Sequence, residues 1–235
     1  MIKAILCDVD GTLVDTVDLH ANAWREAFLR FGKDIPFDQL RSQIGKGGDQ
    51  LMPVFLTQRE LATFGRELEE FRSELYEKKY LPSATAFPKV RDLFERLRED
   101  GIGIALASSC KQDELDTYEA LARIDDLVDA ATSADDADRG KPHPDIFEVA
   151  LAKLGDVAPH ESLVIGDSPH DARAAGKIGV AAIGLLCGGF PMSDLVEAGC
   201  IAIYGSPGDL LEHYTELPLG DRASRRPPAS KRGAA

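Results

Sequence analysis

Ile2-Lys3-Ala4-Ile5-Leu6-Cys7, followed at once by Asp8-Val9-Asp10-Gly11-Thr12, is the stretch that decides the fold class. Its first six residues are a short apolar run that stops abruptly at two carboxylates, the pattern of a buried strand with polar residues at its exit. Further apolar runs follow at Ile102–Ala107, Leu127–Ala131, Ser162–Ile165, Val180–Ile183 and Cys200–Ile203. Between them lie helical patterns at Phe87–Glu99, Gln112–Leu121, Pro144–Leu154, His170–Ile178 and Met192–Ala198. Short strands alternating with helices of this length predict βαβ units and a mostly parallel sheet. Ligands of such sheets bind beyond the carboxyl ends of the strands. Polar residues at the strand exits are therefore the first candidates for chemistry.

The alternation breaks between Thr16 and Ser83. Val17–Phe31, Gln50–Leu56 and Gln58–Tyr80 read as helices, and Gly32, Pro36 and Gly45-Lys46-Gly47-Gly48 as loops, with no strand among them. This stretch is predicted to be a helical insertion after the first strand. Residues 221–235 lack apolar periodicity and read as a disordered basic tail.

The 235 residues carry a formal charge of -13. A surface of that sign repels phosphate backbones, so nucleic acid is excluded as an expected partner. In the tail five cations face one acid, which leaves residues 1–220 at -17. An acidic protein that handles small anions must concentrate its few cations at one place, or recruit a metal. No apolar run approaches the roughly 20 residues that cross a bilayer, and the first strand is too short for a secretory signal. Cys7, Cys110, Cys187 and Cys200 show no metal-type spacing and read as small hydrophobes in a reducing, cytoplasmic compartment.

Four strand exits carry the chemistry. Asp8 and Asp10, two apart, can converge on one small volume, one attacking an electrophile while the other moves a proton; Gly11 lets the chain turn behind them. D-x-D-G alone also reads as an acidic surface turn. Gly166-Asp167-Ser168-Pro169-His170-Asp171 adds two carboxylates four apart at a loop-to-helix start. With Asp8 they could bind a hard divalent cation, although Asp167 or Ser168 also reads as a helix cap. Ser108-Ser109 offers a hydroxyl and free N–H groups, an anion cradle or another cap. Lys141, between Gly140 and Pro142, is a rigidly presented point charge suited to phosphate, or a solvated loop lysine. Together the four supply the nucleophile, acid/base, hydroxyl, cation and metal-binding acid of a phosphoryl-transfer site.

In order, Asp8-x-Asp10-Gly11-Thr12, Ser108, Lys141 and Gly166-Asp167-x-x-x-Asp171 resemble the four motifs of the haloacid dehalogenase-like (HAD) hydrolases, over roughly residues 1–205. The helical insertion resembles the cap of the phosphoglycolate phosphatase and β-phosphoglucomutase branch. The resemblance implies a Rossmann-like core at residues 1–15 and 84–220 and a helical cap at 16–83, hinged near Asp15–Thr16 and Leu81–Ser83. It makes Asp8 the nucleophile and a Mg²⁺ ligand. Asp10 becomes the acid/base, its backbone carbonyl on the metal. Ser108 and the Ser109 amide hold the phosphoryl group, Lys141 neutralises charge, and Asp167 ligates Mg²⁺ with support from Asp171. The implied substrate is a small phosphorylated metabolite, and a monomer is the default for the branch.

Three features bear on the reaction. Asp10 argues against the dehalogenases, which lack that acid and need no metal. Gly11-Thr12 and Gly166-Asp167 look more like a phosphatase than a mutase, which reads D-x-D-G-V and Glu-Asp. His20 and Trp24, however, are similar to the H-x-x-x-W at the start of the mutase cap. They are four apart and share a helix face; Trp24 also reads as core and His20 as a satisfied surface residue. Lys46, flanked by glycines, reads either as a cation that swings over the site to a distal anion or as a mobile loop lysine. Lys78 and Lys79 are possible partners for it. A phosphatase is therefore expected, with a phosphomutase and a non-catalytic binding protein of the same fold as rivals.

Overall fold

The computed structural model describes residues 1–219, so the expected tail at 221–235 lies outside the described residues. Six parallel strands form the main sheet: β1 (Ala4–Cys7), β4 (Gly103–Ala107), β5 (Ala130–Thr132), β6 (Ser162–Gly166), β7 (Ala181–Leu185) and β8 (Cys200–Tyr204). Their spatial order is β5-β4-β1-β6-β7-β8. β1 pairs in parallel with both β4 and β6, Cys7 lying opposite Leu106 on one side and Ile165 on the other. That register brings the exits of β1, β4 and β6 to one edge of the sheet, where Asp8, Ser108 and Asp167 are the next residues.

Helices cover both faces, which is why β1 reads as an unbroken apolar run rather than an alternating one. Ile5 and Cys7 pack into the core cluster on one face with Phe94, Leu97 and Leu115. Leu6 points the other way, into a cluster with Phe147, Ala150 and Val164. The fold is thus a Rossmann-like parallel sheet with a helical insertion. The insertion has its own core, in which Trp24, Phe28, Leu40, Leu51 and Leu68 are buried together.

The helical elements of the insertion run from Val17 to Ser83. Two strands not expected from the sequence, β2 (Val14–Asp15) and β3 (Thr85–Ala86), pair antiparallel at its two ends. The expected helix over Gln58–Tyr80 is present, but the turns at Leu61–Gly65 and Tyr76–Tyr80 widen to π geometry. Phe37–Arg41 forms a short helix where the sequence suggests only a loop at Pro36. The expected strand over Leu127–Ala131 is displaced to Ala130–Thr132, because the Leu127 amide closes a turn on the Ile124 carbonyl. The helix expected from Phe87 begins at Val90, after Lys89 takes up φ 69°. All four cysteines are free, and Cys7 and Cys110 are buried. Among the described residues no helix is long and apolar enough to cross a membrane.

Candidate active site

The Asp8 amide extends the β1–β6 ladder by donating to the Ile165 carbonyl, so the Asp8 side chain is fixed by the sheet itself. Gly11, at φ 79°, turns the chain back immediately after the acidic pair. Thr12 closes this turn: its hydroxyl lies 2.7 Å from Asp8 Oδ2 and 3.2 Å from Asp167 Oδ1. Lys141 is fully buried, and its ammonium is held within the site by two hydrogen bonds and an ion pair. Nζ lies 2.5 Å from Asp8 Oδ1, 2.8 Å from the Ala107 carbonyl and 2.8 Å from Asp171 Oδ1. The solvated-loop reading of Lys141 is excluded by this burial.

Asp171 divides its labour by oxygen. Oδ2 accepts from the Ser168 hydroxyl at 2.6 Å and from the Ser168 amide at 3.2 Å, a reciprocal cap on helix Pro169–Lys177. Oδ1 faces Lys141. Ser168 and Asp171 thus satisfy the cap, and Asp167 makes no capping bond there.

Asp8, Asp167 and Asp171 are all buried and present carboxylate oxygens within 4.8 Å of one another. Burial pushes Asp8 up to about 7, with repulsion from Asp171 adding to it against the pull of Lys141. Burial, then the charges of Asp8 and Asp171, holds Asp167 well above the usual carboxylate range. Lys141 is held above its ordinary value because Asp171 and Asp8 outweigh the cost of its burial. With all three carboxylates ionised, one ammonium would leave two negative charges uncompensated in a dry volume, and that cost is what raises Asp8 and Asp167. An oxygen-only donor set of that charge fits a hard divalent cation such as Mg²⁺.

A second cluster adjoins the first. Asp10 Oδ1 lies 2.8 Å from His20 Nε2 and accepts from the Thr16 hydroxyl at 2.8 Å. The Ser108 hydroxyl donates to Asp10 Oδ2 at 3.1 Å and accepts from the Cys110 amide, so it meets the acid/base candidate rather than Asp8. Burial would raise Asp10, but His20, Thr16 and Ser108 outweigh it and hold the carboxyl at about 2. His20 is buried, its ring stacked 3.9 Å from that of Tyr76. Its Nε2 also lies 3.5 Å from Glu114, and the Tyr118 hydroxyl bridges Glu114 and the Tyr76 hydroxyl.

Ser109 and Lys46 line the same cavity as Asp8 and Asp10. Lys46 does not swing freely: its ammonium donates to Gln43 Oε1 at 2.5 Å, and burial with repulsion from Arg173 lowers its pKa. Trp24 belongs mainly to the core of the insertion, packed on Phe28, with one edge on the cavity and the Arg72 guanidinium 4.9 Å above its ring. Lys78 and Lys79 pair with Glu74 and Glu26 on the surface and do not reach the cavity. No local sequence pattern marks Arg72, Glu114, Tyr76 or Tyr118, whose side chains are brought to the cavity and to His20 only by the fold. Thr12 lies inside the first motif, but nothing in that pattern predicts its contacts to Asp8 and Asp167.

The chain matches the haloacid dehalogenase-like hydrolase family over residues 5–185. It belongs to that family. Among its relatives is a phosphorylated carbohydrates phosphatase of Thermotoga maritima, 29% identical over 92% of this chain and 99% of the relative. Another is a β-phosphoglucomutase of Bacillus subtilis, 31% identical over 78% and 83%. A solved hydrolase from Pseudomonas syringae is similar with a TM-score of 0.82 and 29% identity, over 91% of this chain and 98% of that one. The four expected motifs fall inside the matched range, and the protein is an enzyme of the HAD-like hydrolase class.

Proposed function

We propose that this phosphoric monoester hydrolase is a Mg²⁺-dependent phosphatase of a small phosphorylated metabolite, a sugar or short-acid phosphate, acting through an aspartyl-phosphate on Asp8. The observation that carries the reading is the buried Asp8, one oxygen on Lys141 and the other on Thr12, beside an Asp10 held ionised by His20. An Asp8 oxygen attacks phosphorus of the monoanionic ester as the P–O bond breaks, and the ester's own proton passes through the Asp10 carboxylate to the leaving oxygen, leaving Asp10 ionised again. Water, deprotonated by Asp10, then attacks the phosphorus of the aspartyl-phosphate, releasing inorganic phosphate and restoring Asp8. Lys141 offsets the charge of the Asp8 carboxylate, and the Ser109 side of the cavity faces the phosphoryl group. A cation held by Asp8, Asp167 and Asp171, with the Asp10 carbonyl, would neutralise the carboxylates and phosphoryl oxygens when bound.

The cavity is roofed from the insertion by Trp24, Lys46 and Arg72. The two cations in this roof suit an anionic or hydroxylated remainder of a small ester. In this reading residues 16–83 form a cap that closes over a core of residues 1–15 and 84–220, moving on the β2–β3 ribbon, and shields the reaction from water. The enzyme works as a cytoplasmic monomer, in keeping with its free thiols.

The test is phosphate release from a panel of small phosphate esters with and without Mg²⁺. Release should require Mg²⁺; metal-independent release would remove the cation from the scheme. The His20–Asp10 contact and the mutase relative keep a phosphomutase as a second reading. Glucose 1-phosphate with a bisphosphate primer, followed by NMR, separates the two: isomerisation outpacing phosphate release favours the mutase.

As the structure stands, His20 keeps Asp10 in the form that accepts a proton from water. His20→Ala removes the largest pull on Asp10 and leaves burial in place, so the Asp10 pKa rises. The limb of the kcat/KM–pH profile that belongs to Asp10 is expected to move to higher pH. An unmoved limb would show that His20 does not set Asp10.

A further inference from the structure

The glycine-flanked Lys46 loop invites a reading as a flexible arm, but its neighbours argue otherwise. A Cβ at Gly47 would stand 2.7 Å from the Gly140 Cα, and one at Gly140 would stand 2.5 Å from the Gly47 Cα. The two backbones touch, and only glycine at both positions allows it. Asp49, two residues on, places Oδ1 and Oδ2 at 3.2 and 3.1 Å from the Gly140 amide. Gly140 is bonded directly to Lys141. From the other side of the cap, Arg41 donates to the carbonyls of Gly188 at 2.9 Å and Gly189 at 3.3 Å, while Asp18 accepts from its Nε at 2.6 Å. Gly188 in turn lies flat on the Asp167 carboxylate: a Cβ there would fall 1.7 Å from Asp167 Oδ2.

We propose that Arg41 and Asp49 are positioning residues that clasp the two core segments setting Lys141 and Asp167, so that these groups reach their working geometry only when the cap is seated on the core. The proposal rests on the phosphatase reading above. Both contacts are cap-to-core, and each lands one covalent step or one van der Waals contact from a group of the catalytic cluster. Part-exposed charged contacts of this kind contribute little to stability, about 0–1 kcal/mol, so their value lies in geometry. Arg41 spreads one rigid fork over a carboxylate and two carbonyls, a pattern that a lysine cannot reproduce.

The experiment uses the whole protein, p-nitrophenyl phosphate as the ester, and two readouts: kcat with KM, and the Mg²⁺ dissociation constant by calorimetry without substrate. Loss of an outer contact that orients a ligand typically costs 10–100-fold in affinity or activity. Asp49→Ala should lower kcat about 10-fold with KM nearly unchanged, and Asp49→Asn, which keeps an acceptor for the Gly140 amide, should recover part of it. Arg41→Ala should weaken Mg²⁺ binding about 10-fold, and Arg41→Lys should not rescue it. Gly47→Ala places a Cβ 2.7 Å from the Gly140 Cα and 2.4 Å from Asp49 Oδ1, which breaks the same clasp from the backbone side with the Asp49 carboxylate retained; it should repeat the Asp49→Ala loss, so it carries the test if that variant does not fold. A rise in KM alone would make Asp49 a substrate contact, and unchanged kcat and Mg²⁺ affinity would make the clasp passive; either result overturns the proposal. Wild-type protein that neither binds Mg²⁺ nor cleaves the ester would overturn the phosphatase reading instead.

Discussion

Asp8→Asn is expected to abolish phosphate release while leaving the protein folded. Asp8 is 4% exposed and both of its carboxylate oxygens are engaged, Oδ1 by Lys141 and Oδ2 by Thr12. Asparagine fills the same volume, and its carbonyl oxygen can still accept from one of these donors. Its amide nitrogen, however, carries no nucleophilic lone pair and cannot form an acyl phosphate. Removing the nucleophile of a covalent mechanism costs on the order of 10⁴–10⁶-fold in kcat. The loss should therefore reach at least about 10⁴-fold with the best ester of the panel. Acid-quenched wild-type enzyme should contain a hydroxylamine-sensitive phosphate, and the variant none. Unchanged activity in the variant would favour a non-catalytic binding protein built on this fold.

Much of the site was legible because its geometry is carried by the sheet. Parallel strands buried on both faces read as continuous apolar runs, and the β1, β4 and β6 exits point to Asp8, Ser108 and Asp167 before any coordinates are known. The pairing of Cys7 with Leu106 and Ile165 then brings these exits together. What the sequence hid depends on contacts made across long stretches of chain. Tyr76 reaches His20 from the insertion, and Glu114 and Tyr118 reach it from one turn of the helix Gln112–Ala122, far along the chain; no local pattern ties them to His20. The β2–β3 ribbon is two residues per strand, too short for alternation to register, and its partners lie on either side of the whole insertion. Lys46 illustrates a different limit. Glycines beside it suggest freedom of motion, yet Gly47 is required by close approach to Gly140, and the lysine is tied to Gln43. Composition cannot tell a glycine needed for flexibility from one needed for contact.

Asp167→Asn is expected to make the metal-free protein more stable and the enzyme far less active. Asp167 is 1% exposed, and its pKa is raised first by burial and then by Asp8 and Asp171. A carboxyl whose folded pKa lies above its unfolded value adds stability at low pH, and that stability is lost as pH rises through the folded pKa. Asp8, at about 7 in the folded protein, follows the same sign. Metal-free wild-type protein should therefore lose stability between about pH 4 and pH 8 as the buried cluster ionises. Asparagine cannot ionise, and it can still accept from the Thr12 hydroxyl, which in the wild type lies 3.2 Å from Asp167 Oδ1. Relief of about 1–2 kcal/mol would raise Tm by roughly 2–8 °C in a chain of this size at pH 8, and the gain should shrink towards pH 5. With Mg²⁺ the order should reverse. A ligand at 100 times its Kd adds about 2.7 kcal/mol to the folded state, so wild-type protein should gain roughly 5–10 °C while the variant gains little. Calorimetric melting in EDTA and in Mg²⁺, at pH 5.5 and pH 8, reads all four quantities. A variant less stable than wild type in EDTA at pH 8 would show that the carboxylates are not in conflict, and an equal Mg²⁺ shift in both proteins would remove Asp167 from the ligand set. The combination of gained stability and lost metal response is what separates a functional cluster of acids from a structural one, because a structural carboxylate would lose stability on the same substitution.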